Sequence, residues 1–214
     1  MDERALEDLR GLAAQDRALE HQGTELRAAD AEVARIRGRA EEIAAFFSGF
    51  AEEEAGRAGE LRAAEEELAG RRDELAAAEA EAARADGEQR EAAEKAVARA
   101  RDHVAVAESR VARAKAAAAE LEARAAAFEA ELPVLDRQAR GLQGLPEATG
   151  DLVAWASHAH AELFVAAGQI DLQRERVIRE ANELASALTG EPTYGSTVAQ
   201  ALERVERLTS RETA

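Results

Sequence analysis

Two runs of apolar residues at seven-residue spacing, parted by one break at Gly87, restrict this chain more than any other feature. Before the break the spacing joins Leu12, Leu19, Leu26, Val33, Ala40, Phe47, Leu61, Leu68 and Leu75. After it the spacing joins Val97, Val104, Val111, Ala118, Ala125, Leu132 and Ala139. Companion positions three residues on carry Ile36, Ile43 and Phe50 in the first run, and Ala107, Ala114, Leu121, Phe128, Leu135 and Leu142 in the second. This is the a/d seam of a coiled coil. The segment Ala85-Asp86-Gly87-Glu88-Gln89 holds an Asp-Gly turn signal, so the tip of a hairpin is expected near 85–89.

If the two runs pair antiparallel about that tip, the numbers of facing residues sum to about 175. Phe47 then faces Phe128, Ile43 faces Leu132, Ile36 faces Ala139, Leu61 faces Ala114, and Leu75 faces Ala100. Large residues meet alanines near the tip and meet other large residues towards the base. The expected fold class is all-α: a long antiparallel coiled-coil hairpin over 1–143, and a C-terminal helical region over 144–214 packed at or near its base. Glu54, Arg57 and Arg71 fall in the seam, and the glycine-rich stretch Phe46 to Gly59 marks a weak joint. Pro133 should kink the second arm.

Beyond Gly141-Leu-Gln-Gly-Leu-Pro146 the pattern predicts a long helix over about 149–189 and a short one over about 196–210. The long helix carries an apolar stripe through Leu152, Trp155, Ala159, Leu163, Ile170, Val177 and Leu184. A second flank holds Phe164, Val165, Leu172 and Ile178. A stripe this wide requires more than one neighbouring helix. Gly190 is a natural C-terminal stop, reinforced by Pro192, and Ser196 is the expected cap of the short helix.

Composition narrows the function. Aromatics make up only 3% of 214 residues, so a thick globular core is not expected. With no cysteine, disulfides, thiolate metal sites and cysteine nucleophiles are excluded. The opening MDERALEDLRGL lacks a basic start followed by an apolar run, so no signal peptide is expected and the cytoplasm is the expected location. A formal charge of −16 disfavours nucleic acid and anionic lipid as partners. No phosphate-binding glycine loop and no Gly-x-Ser-x-Gly elbow occurs. His158 and Glu162 share a helix face, but His158 and His160 diverge and no Glu-x-x-His pair exists, so no metal site is expected. Consecutive acidic residues such as Glu52-Glu53-Glu54 fan around a helix and cannot converge on a cation.

No cofactor, small-molecule substrate or catalytic residue is therefore expected. The expectation is a non-catalytic scaffold that joins a protein partner, or a second copy, through its C-terminal helices. The candidate contact residues are Trp155, Phe164, Leu172, Ile178 and Tyr194, because aromatic and large apolar anchors dominate interface energetics. The layout of one long hairpin followed by shorter helices also resembles the phage-shock family of membrane-remodelling proteins, which implies membrane association as an alternative. That family opens on an apolar, basic amphipathic helix, whereas this chain opens with Asp2, Glu3, Glu7 and Asp8. A further alternative is an accessory rod resembling the arms of SMC-type chromosome proteins.

Overall fold

A computed structural model describes residues 3–146, 151–193 and 195–212. The fold is all-α, with four helices: α1 Glu3–Ala82, α2 Glu88–Gly141, α3 Leu152–Thr189 and α4 Val198–Glu212. α1 and α2 pack as a hairpin, and Gly87 takes the left-handed conformation at its turn, φ 56°. None of the described helices is long and apolar enough to cross a membrane. Two compact units divide the chain: residues 41–134, and residues 1–40 with 135–214.

In the unit of residues 41–134, ion pairs across the hairpin give an independent reading of its register. Glu65–Lys115, Arg72–Glu108 and Glu79–Arg101 all have numbers summing to 180, and Glu67–Arg110 sums to 177. In antiparallel heptads whose core layers sum to 175, facing e positions must sum to 180 and facing g positions to 177. The charged flanks therefore sit where the apolar seam requires. Ala107, Val111, Leu121, Ala125 and Phe128 are buried on the α2 side. Arg57 and Arg71, within the seam by number, are partly buried and pair with Glu60 and Glu74 of their own helix at 3.2 and 2.8 Å.

The phenylalanine cluster adds one residue to the expected core. Phe46 packs edge-on against Phe128, with centroids 4.9 Å apart. Phe46 also touches Phe47 and Phe50, and the Arg124 guanidinium lies 5.0 Å from its ring centre. Phe46 is thus a seam residue, although the heptad count places it beside the seam. Pro133 lies inside α2, which continues through it. Leu132, expected in the seam opposite Ile43, is 36% exposed. The proline next to it removes a backbone donor and crowds the preceding turn.

In the unit of residues 1–40 and 135–214, α3 runs antiparallel along α1. Asp16 meets Arg174 at 2.7 Å, and Asp30 meets His160 at 2.5 Å. A Cβ at Gly23 would stand 3.6 Å from Ile170 Cγ2, an ordinary contact distance, which places Ile170 of α3 directly over this turn of α1. α4 closes one end. Leu9, Ala13 and Leu19 of α1, Val177, Ala181 and Ala185 of α3, and Val198, Ala201 and Val205 of α4 form one buried cluster. Towards the other end the buried side chains are Val33, Ile36 and Ala40 of α1, Leu135 and Ala139 of α2, and Leu152, Trp155, Ala156 and Ala159 of α3.

Candidate functional site

Capping and loop contacts fix the position of α3 before any packing argument is needed. Asp151 caps its start: the carboxylate accepts hydrogen bonds from the N–H groups of Val153 and Ala154, both at 3.0 Å. At its end Gly190 is left-handed, φ 69°, and its N–H donates to the Ser186 carbonyl at 2.9 Å. The return loop is tied down by a buried threonine. Thr193 Oγ1 donates to the Asn182 carbonyl at 2.7 Å, and the Thr193 N–H donates to Ser186 Oγ at 3.0 Å. With both bonds made, the Ser186 hydroxyl must donate to Thr193 Oγ1, 2.9 Å away. Asn182 Nδ2 donates to the carbonyls of Ile178 and Ser196 at 2.8 and 2.9 Å.

The cap of α4 is Thr197 rather than Ser196. Gln200 N donates to Thr197 Oγ1 and Thr197 N donates to Gln200 Oε1, a reciprocal capping box with glutamine in the third place. The Ser196 carbonyl is instead engaged with Asn182. The Arg10 guanidinium grips Glu206 of α4 at 2.9 and 3.1 Å, and Arg204 pairs with Glu191.

Rotation of α3 about its own axis is set by the Asp16–Arg174 pair. Asp16 is only 8% exposed, and its hydrogen bond is the main reason the Arg174 guanidinium holds its proton more tightly than usual. Glu20 adds a second carboxylate at 3.4 Å. Asp16 is the enclosed partner and Arg174 keeps partial access to water, so a rotation that parts the two leaves the Asp16 carboxylate poorly solvated.

This rotation sorts the candidate contact residues. Trp155 is 5% exposed and its indole N–H donates to the Pro146 carbonyl at 2.8 Å. It anchors the segment leading into α3 and presents no surface. Ile178 packs against the cluster shared with α4 and is partly buried. Tyr194 lies outside the described residues. Phe164 and Leu172, in contrast, stand 74% and 59% exposed, and Val165 between them is 59% exposed. Ala161 and Gly168 share their face of the helix and are also exposed. Phe164, Gly168 and Leu172 are spaced four apart, which stacks them along one line of α3. A Cβ at Gly168 would meet nothing within 4 Å, so no contact inside the chain calls for a glycine there, although it costs this helix roughly 1 kcal/mol against alanine.

Beside this strip a groove of about 520 Å³ opens between α1 and α3, with Gln22, Leu26, Ala29, Gln169 and Gln173 among its lining residues. Its walls mix apolar side chains with amides that both donate and accept hydrogen bonds. Around the strip, His158 meets Glu162 at 3.4 Å, whereas Arg176 and Arg179 form no ion pair among the described residues. No group of three or more histidine or carboxylate side chains converges among the described residues. What the site offers is an apolar strip with charges of both signs at its margins, suited to contact with another helix. No family profile, curated protein or solved structure matches the chain.

Proposed function

We propose that the protein is a non-catalytic helical assembly factor, which joins protein chains through the outward face of α3. The observation that carries this reading is the exposure of Phe164, Val165 and Leu172 together, at 74%, 59% and 59%, on a helix whose opposite face buries Ala159, Leu163, Val177 and Ala181. Burying a large apolar side chain is worth about 1.5–3 kcal/mol, so three on one strip supply enough to drive association. Hairpin helices and an adjoining apolar strip are the parts of a spacer with a docking point, and the reading assigns the chain no reaction.

The test replaces Phe164 and Leu172 with glutamate. Circular dichroism should show unchanged helicity, because both side chains already lie in water. Affinity capture and light scattering on the intact chain should then show loss of bound protein or loss of oligomer mass. A parent protein that is monomeric and binds nothing, or assemblies that survive both substitutions, would refute the reading.

A further inference from the structure

We infer that the occupant of this face is a second copy of the same chain, lying antiparallel along α3 about a two-fold axis at Gly168; the inference rests on the reading of the face as an assembly surface. Three features of the strip fit a copy of itself. First, an antiparallel pair centred on Gly168 matches residues whose numbers sum to about 336. Phe164 then faces Leu172 of the second copy, and Leu172 faces its Phe164, so the largest exposed side chains cover each other twice. Val165 falls beside the same leucine.

Second, the axis passes through the one exposed position of the strip without a side chain. Gly168 is exposed and its missing Cβ faces open space, as at Gly38 and Gly49 of α1; what sets it apart is its place between Phe164 and Leu172 on the exposed strip. Two glycines meeting at the axis let the helix backbones come close enough for Phe164 and Leu172 to interdigitate.

Third, the charges are self-complementary. Two chains of net charge −16 repel, so a self-contact must be built where each copy offers cations. Arg176 lies on the same edge of α3 as Glu162, and it makes no ion pair within the described residues. The antiparallel register sets Glu162 of each copy against Arg176 of the other, along one edge of the apolar strip and at both of its ends. A parallel pairing would set Arg176 against Arg176 and Glu162 against Glu162.

Cysteine crosslinking in the intact chain tests this, since the sequence has no thiol of its own. Under mild oxidation Gly168→Cys should give a covalent dimer in high yield. Ala154→Cys should not, because it lies on the same face about 21 Å from the axis at ~1.5 Å per residue, and an antiparallel pair holds the two copies of it far apart. Crosslinking of both would show a parallel pair and overturn the proposal. Glu162→Arg should weaken self-association several-fold by placing arginines together. Adding Arg176→Glu in the same chain should restore it, which a merely structural role for either residue would not. A parent that is monomeric, yet loses a different bound protein on Phe164→Glu, overturns the two-fold pair and leaves the assembly reading standing. A dimer that persists with Phe164→Glu, in protein of unchanged helicity, overturns both.

Discussion

Leu163 and Phe164 are neighbours in sequence, and their truncation should have opposite consequences. Leu163 is 5% exposed against α1, and Phe164 is 74% exposed. Leu163→Ala removes about three buried carbons. At ~0.8 kcal/mol each the transfer loss alone is roughly 2.4 kcal/mol, and the cavity left behind raises the total to about 2.5–5 kcal/mol. Phe164→Ala removes a larger side chain that is mostly in water, so the cost should stay within ~0.5 kcal/mol. The assay is urea unfolding followed by tryptophan fluorescence. Trp155 is the chain's single tryptophan and is buried in the same unit, so its signal reports the unfolding of that unit. With a slope of about 1–3 kcal/mol per molar urea, Leu163→Ala should lower the midpoint by roughly 1 M or more. The work belongs at high dilution, because association would add a concentration-dependent term to the parent and to Leu163→Ala. Equal losses for the two variants, or a larger loss for Phe164→Ala, would mean that α3 faces α1 with a different side, and the account of the exposed strip would fail.

Four further outcomes follow from the same geometry. Asp16→Asn should cost about 1–3 kcal/mol, read by Trp155 fluorescence, with the Arg174 side chain's partial exposure limiting the loss. Because the Arg174 pKa is raised in the folded state, its contribution is complete below the unfolded value and is lost only as pH climbs through the folded one, so the Asp16→Asn deficit should be constant across neutral pH. Asp151→Ala should cost about 1 kcal/mol through the lost cap, measured in the same way. A disulfide between Leu61→Cys and Ala114→Cys should form within one chain, checked by the mass of the oxidised product; a product linking two chains would contradict the hairpin.

The hairpin register was legible because it was encoded twice, once in the apolar seam and again in the e–e′ and g–g′ charges such as Arg72–Glu108 and Glu67–Arg110. Phe46 was not, because a strict heptad assigns one residue to each layer. Three phenylalanines within one turn and a half pack as a group, and Phe46 joins that group with an edge-on contact to Phe128. The exposed flank on α3 could be seen in the spacing of Phe164, Val165 and Leu172, but its limits could not. Ile178 belongs by number to that flank and is partly covered because α4 lies on its side of the helix. Trp155 reads in sequence as a contact residue, and only the fold brings the Pro146 carbonyl to its indole N–H. Asp16 reads as one more surface acid; its pairing with Arg174 joins residues 158 positions apart and leaves no local signature. The Thr197 cap did leave one, since Thr-x-x-Gln is a capping box, and Ser196 simply stands one place too early.

The central claim, that the outward face of α3 pairs two copies of the chain, is tested most directly by sedimentation equilibrium of the intact protein beside Phe164→Glu/Leu172→Glu. The account predicts twice the 22.9 kDa chain mass for the parent at micromolar concentration and the single chain mass for the variant, with equal helicity. The same mass for both proteins, whether monomer or dimer, would contradict it.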